Sequence, residues 1–133
     1  MNNKIVARFA DGRILKGSTA DFVPGRDHFH VTTLGAPAGS KPTRIALKEL
    51  KALIFVKDFA GNPRHEEARE FAPDRAQSGR RIKVIFKDGE LMVGTTTGYQ
   101  PGRPGFFLVP ADPRSNMERC FVIAAATARI AFL

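Results

Sequence analysis

The strongest constraint on how this chain can fold is that it says nearly the same thing twice. Residues 9–31 and 86–108 align without a gap at an offset of 77. Phe9, Asp11, Gly12, Gly17, Thr19, Pro24, Gly25, Arg26 and Phe29 recur as Phe86, Asp88, Gly89, Gly94, Thr96, Pro101, Gly102, Arg103 and Phe106. Ile14 matches Leu91, Leu15 matches Met92, Phe22 matches Tyr99 and Val31 matches Leu108. Later, Arg44-Ile45-Ala46-Leu47 lines up with Arg119-Cys120-Phe121-Val122 after a shift of two residues. Repeated Gly and Asp-Gly positions within alternating apolar residues mean a repeated backbone. A unit of about 55–60 residues buries only about 60% of its unfolded surface. The halves are therefore expected to pack on each other, or on another copy of the chain.

The alternation is that of strands. Residues 4–9 place Ile5, Ala7 and Phe9 on one face, and Asp11-Gly12 then turns the chain as a hairpin. Residues 13–19 return, interrupted by Gly17, which inside a strand marks a bulge or a sharp bend. Pro24-Gly25 signals a turn before a third strand at 28–34, and strands at 43–47 and 52–56 follow a Gly/Pro/Ser loop. The second half repeats this order at 81–86, 90–97, 105–109, 119–123 and 127–132. Between the halves, Asn62-Pro63 with Glu66 and Glu67 reads as a capped helix start, running to Phe71 before Pro73. The expected architecture is all-β with one short linker helix: a small barrel at 1–57, a charged linker at 58–79 and a second small barrel at 80–133. Five short antiparallel strands with a bent second strand fit an SH3-like or Sm-like barrel.

Composition narrows the function classes. Lys and Arg number 21 against 13 Asp and Glu, a net charge of +8, which favours nucleic acid, anionic lipid or an acidic partner. The single cysteine, Cys120, excludes an intrachain disulfide framework and sits in an apolar run, as a buried small residue does. No apolar stretch approaches the roughly 20 residues of a membrane span, and no signal peptide precedes the first strand, so a cytoplasmic location is expected.

The half-pattern, from alternating strand through Asp-Gly to the late strand pair, resembles the Sm-like barrel. Neither loop at 35–42 or 110–118 carries the Arg-Gly that family uses for RNA. A second resemblance covers almost the whole chain. Residues 86–90, 94–99, 105–108, the Pro110-Ala111-Asp112-Pro113-Arg114-Ser115-Asn116 stretch and residues 119–122 are similar to an uncharacterised family of bacterial domains. That family is found alone or attached to signalling, pilus or secretion proteins, and it implies no activity. The cyclic-dinucleotide motif of PilZ domains does not match, because two residues separate Asp112 from Ser115 and no Gly follows.

Catalytic patterns are missing from the sequence: there is no phosphate loop, no His-Glu-x-x-His and no Cys-x-x-Cys. His28 and His30 share a strand face without a completing ligand. Each repeated Pro-Gly-Arg offers either a guanidinium to a phosphate or carboxylate, or an arginine stem laid over apolar surface. The expected function is a non-catalytic binding or adaptor module in bacterial signalling or regulation. It uses no cofactor or metal, takes a protein partner, and has self-association as a further mode. The alternative is an Sm-like nucleic-acid binder whose basic stretch contacts phosphates. Candidate binding residues are Arg80, Arg81, Lys83, Lys87, Arg103, Asp112, Arg114, Asn116 and Arg119.

Overall fold

The computed structural model describes residues 3–59, 79–112 and 115–133. The expected helix at 63–71 lies outside the described residues, as does Arg114. The first half runs β1 (Asn3–Phe9), β2 (Ile14–Thr19), β3 (His28–Thr33), β4 (Thr43–Ala46), a 3-10 turn (Leu47–Glu49) and β5 (Leu50–Val56). The second runs β6 (Arg80–Phe86), β7 (Leu91–Thr96), β8 (Gly105–Pro110), β9 (Met117–Ile123), a 3-10 turn (Ala124–Ala126) and β10 (Thr127–Phe132).

All ten strands join one open antiparallel sheet in the order β10-β6-β7-β8-β9-β5-β1-β2-β3-β4. The all-β expectation holds, and the two halves expected as small barrels share a single open sheet. Each half keeps the same internal order, its last strand lying beside its first. The halves meet where β5 pairs with β9, through Leu53 opposite Phe121, Ile54 opposite Cys120 and Phe55 opposite Arg119.

The registers repeat as well as the elements. Ile5 pairs with Gly17 and Phe55, while Ile82 pairs with Gly94 and Phe132. The offset of 77 persists to the end of the chain: His28 pairs with Ala46 as Gly105 pairs with Ile123. This corrects the two-residue shift expected for Arg44–Leu47 and Arg119–Val122. A shift of two leaves the inward and outward faces of a strand unchanged, so alternation alone does not register it.

Gly17 and Gly94 sit where three strands crowd together. A Cβ on Gly17 would lie 2.3 Å from the Thr32 carbonyl oxygen, and one on Gly94 would lie 2.0 Å from that of Val109. Close backbone approach, with no register shift in the ladder to the first strand, is what these glycines permit. Two residues on, the Thr19 hydroxyl donates to the His30 carbonyl at 2.8 Å and the Thr96 hydroxyl to the Phe107 carbonyl at 2.7 Å. These bonds tie the second strand of each half to its third beyond the short ladder.

β5 is buried at all seven positions because it serves two cores. Leu50, Leu53 and Phe55 join a cluster with Ile5, Ala7, Phe29, Val31 and Ile45. Ala52, Ile54 and Val56 join another with Ile82, Val84, Phe86, Phe106 and Leu108. β9 divides likewise, sending Phe121 and Ile123 to the first core, and Val122 and the fully buried Cys120 to the second.

Candidate functional site

Each Pro-Gly-Arg forms the turn between the second and third strands of its half. The Arg26 N–H donates to the Val23 carbonyl at 3.0 Å, and the Arg103 N–H donates to the Gln100 carbonyl at 3.4 Å. Each turn is then tied to the 3-10 turn of its half. Leu47 N–H donates to the Asp27 carbonyl at 2.8 Å and Ala124 N–H to the Pro104 carbonyl at 2.9 Å. These are one hydrogen bond made twice, 77 residues apart. Because β5 and β9 set the halves side by side, both assemblies lie along one cavity of about 590 Å³.

Buried Leu47 and Ile123, with Ala46, Ala124 and Pro104, give this cleft an apolar lining. Its charged lining is Arg26, Lys48 and Arg103 against the single carboxylate of Asp27, with His28 beside them. All five of these polar side chains belong to exposed residues, and none makes an ion pair among the described residues. A volume of this size lies in the range of about 300–1,000 Å³ typical of small-molecule sites.

A second charged group lies at the junction of the halves. Lys51, on β5, is buried to 6% exposure, and its ammonium contacts Asp88 at 2.6 Å and also Glu90. Arg8 reaches the same Glu90 at 2.8 Å. The Lys51 ammonium, its hydrogen bond to Asp88 and the Glu90 N–H hold the Asp88 carboxyl below its ordinary value. Every member has a partner and the Lys51 ammonium lies over the Phe86 ring, so this is a clamp between β5 and the β6–β7 hairpin. Among the described residues, no group of three or more His, Cys, Asp or Glu side chains is placed to hold a metal ion. His30 instead faces Asp21, with Nδ1 2.7 Å from its carboxylate. Burial pushes the Asp21 carboxyl up, but hydrogen bonds from the His30 N–H, the His30 ring and Thr19 together hold it below its ordinary value.

A family model described as a family of unknown function, DUF6982, matches residues 1–133. The chain belongs to the DUF6982 family. No curated protein and no solved structure matches it. Membership establishes the uncharacterised domain family expected from the sequence and leaves function to the geometry of this DUF6982 chain. No helix among its described residues is long and apolar enough to cross a membrane.

The structure disperses the residues singled out in the sequence. Arg80 lays its guanidinium 3.6 Å from the Phe132 ring centroid. Arg81 and Lys83 share the outward face of β6, and Lys87 lies beyond its far end. Arg119 stacks over Phe55 and Phe107, at 4.4 and 4.6 Å. Asn116 closes the end of β5, its amide donating to the Asp58 carbonyl at 2.7 Å and accepting the Asp58 N–H at 3.0 Å. Asp112 is buried. Of the described members of the set, Arg103 alone lines the cleft, where Arg26, His28 and Lys48 join it. The signal for Arg26 was present in the repeated Pro-Gly-Arg; Lys48 carried none, because its place depends on how the halves dock.

Proposed function

We propose that this DUF6982 chain is a non-catalytic binding module, an adaptor in bacterial signalling or regulation, whose working site is the cleft between its two Pro-Gly-Arg turns. In this reading each half is a small barrel of Sm-like or SH3-like kind, supported by the shared strand order around separate cores. The observation that carries the proposal is the convergence of equivalent, backbone-braced turns on one cavity whose cations have no ion-pair partners among the described residues. Elsewhere Arg8 and Arg13 are committed to Glu90 and Asp11, and Arg80 and Arg119 to aromatic rings. The cleft keeps charge available for a ligand.

The test is native mass spectrometry of the protein purified gently from its host, followed by release of what is bound. A molecule or protein that returns chemically unchanged, and is lost in an Arg26→Ala/Arg103→Ala variant, supports a binding module. Chemical conversion of the released molecule by fresh protein makes the chain an enzyme. The nucleic-acid alternative rests on the +8 charge and the outward face of β6. Binding of single-stranded RNA that survives physiological salt and falls in an Arg81→Ala/Lys83→Ala variant would replace the cleft with that face.

A further inference from the structure

We infer that the cleft takes a small organic dianion, with one carboxylate or phosphate at Arg26, the other at Arg103, and an apolar body between them. This rests on the reading of the cleft as the binding site. Each half lends one arginine to the lining of the same cavity from an equivalent turn, and neither arginine is in an ion pair among the described residues. Guanidinium is the side-chain group suited to two-pronged recognition of either head group. Both turns are pinned by backbone hydrogen bonds, so little backbone has to be ordered on binding.

Charge and surface point the same way. Arg26, Lys48 and Arg103 against Asp27 leave two positive charges to match two negative ones. An inorganic ion would leave the apolar surface of Ala46, Pro104 and Ala124 wetted, whereas an apolar spacer covers it. The volume of about 590 Å³ accommodates a small molecule. Among the described residues no Phe or Tyr lines the cavity, so it lacks the stacking platforms that single-stranded nucleic acid uses.

The test is an amide NMR titration of the full chain with glutarate, pimelate and azelate, with heptanoate as the single-headed control and pentane-1,5-diol bisphosphate to separate the two head groups. Saturable shifts at Gly25, Ala46, Gly102 and Ala124 are expected. The best dianion should bind at least about tenfold more tightly than heptanoate. Arg26→Gln or Arg103→Gln should each reduce it to the heptanoate level while the spectrum stays folded, and Lys41→Ala should change nothing. Equal affinity for one and two heads, or indifference to both arginine substitutions, overturns the inference. If the cleft amides answer only to neutral, cationic or protein ligands, the dianion falls and the binding-module reading stands. If they answer to nothing, and RNA shifts β6 instead, both fall.

Discussion

The seam between the halves and the outer edges of the sheet are the same place in the repeat, built from opposite materials. At the seam, β8 and β9 turn Phe107 and Phe121 toward Phe22 and Phe55, with ring centroids 5.2–6.2 Å apart. Arg119 covers Phe55 and Phe107. At the outer β3–β4 edge the equivalent residues are His30, Arg44 and Pro42. A proline cannot donate to a ladder, and a short, charged strand is a poor template for another copy. Among the described residues nothing pairs with the outer edge of β10, which has no buried residue, whereas β5 is buried throughout. The repeat thus joins to itself once within the chain, and the β3–β4 edge differs from the seam at the three positions that build it.

The largest effect should come from emptying the seam. Phe121→Ala removes a ring at 2% exposure that contacts Phe22 and Phe107, and it should cost about 4 kcal/mol in urea unfolding. Arg44→Ala, at the equivalent outer position, should stay within about 0.5 kcal/mol. Similar costs at the two positions would mean that seam and edge do not differ as described.

Strand existence and order within each half were legible because alternation, Asp-Gly and the strand glycines are local signals. Sheet continuity was not, since the ladder from Ile54 to Cys120 depends on how two halves dock. The candidate site was legible in part for the same reason. Arg26 and Arg103 were visible as a repeated motif, but their convergence follows from the seam. Asn116 and Arg119 looked like ligand contacts because sequence does not show that one closes the end of β5 and the other lies on two phenyl rings.

The two Asp-Gly hairpins sharpen the contrast at a smaller scale. Both turn with only the glycine at positive φ, Gly12 at 97° and Gly89 at 93°. In the first, Asp11 pairs with Arg13 two residues on, at 2.7 Å and in solvent. In the second, Glu90 replaces that arginine, and the hairpin reaches Lys51 and Arg8 of the other half. Lys51→Ala removes a buried stem and its charged hydrogen bonds and should cost about 2 kcal/mol in urea unfolding. Lys51→Met keeps much of the stem and should cost less. Ala128→Lys, at the equivalent place on exposed β10, should change stability by no more than about 0.5 kcal/mol.

Acid should reveal the clamp more gently. The Asp88 carboxyl is held below 3.8, so its contribution is complete above that value and is lost as pH falls through its lowered one. Asp11 is lowered too, by the Arg13 N–H and guanidinium. Thermal midpoints measured from pH 6 to pH 3 should fall at the acid end, and Lys51→Met should flatten that fall. An unchanged slope would remove Asp88 from the docking of the halves.

The finest test rebuilds an edge as a seam. His30→Phe on β3, Pro42→Arg just before β4 and Arg44→Phe on β4 place there the residues that β8 and β9 carry at the equivalent positions. The free β10 edge already offers Phe132, the counterpart of Phe55, with Tyr99 against it as Phe22 lies against Phe55. The triple variant should therefore associate head to tail, β10 of one copy on β4 of the next, with sedimentation rising with concentration. The association should be weak, because Arg129 stands where the seam has Ala52, and Arg129→Ala should strengthen it. Such contacts repeat without a twofold axis, so growth beyond a dimer distinguishes them from isologous pairing of two β10 edges, which stops at two. A variant that sediments as the parent does at every concentration would show that the three outer residues are not what stops the repeat from joining again.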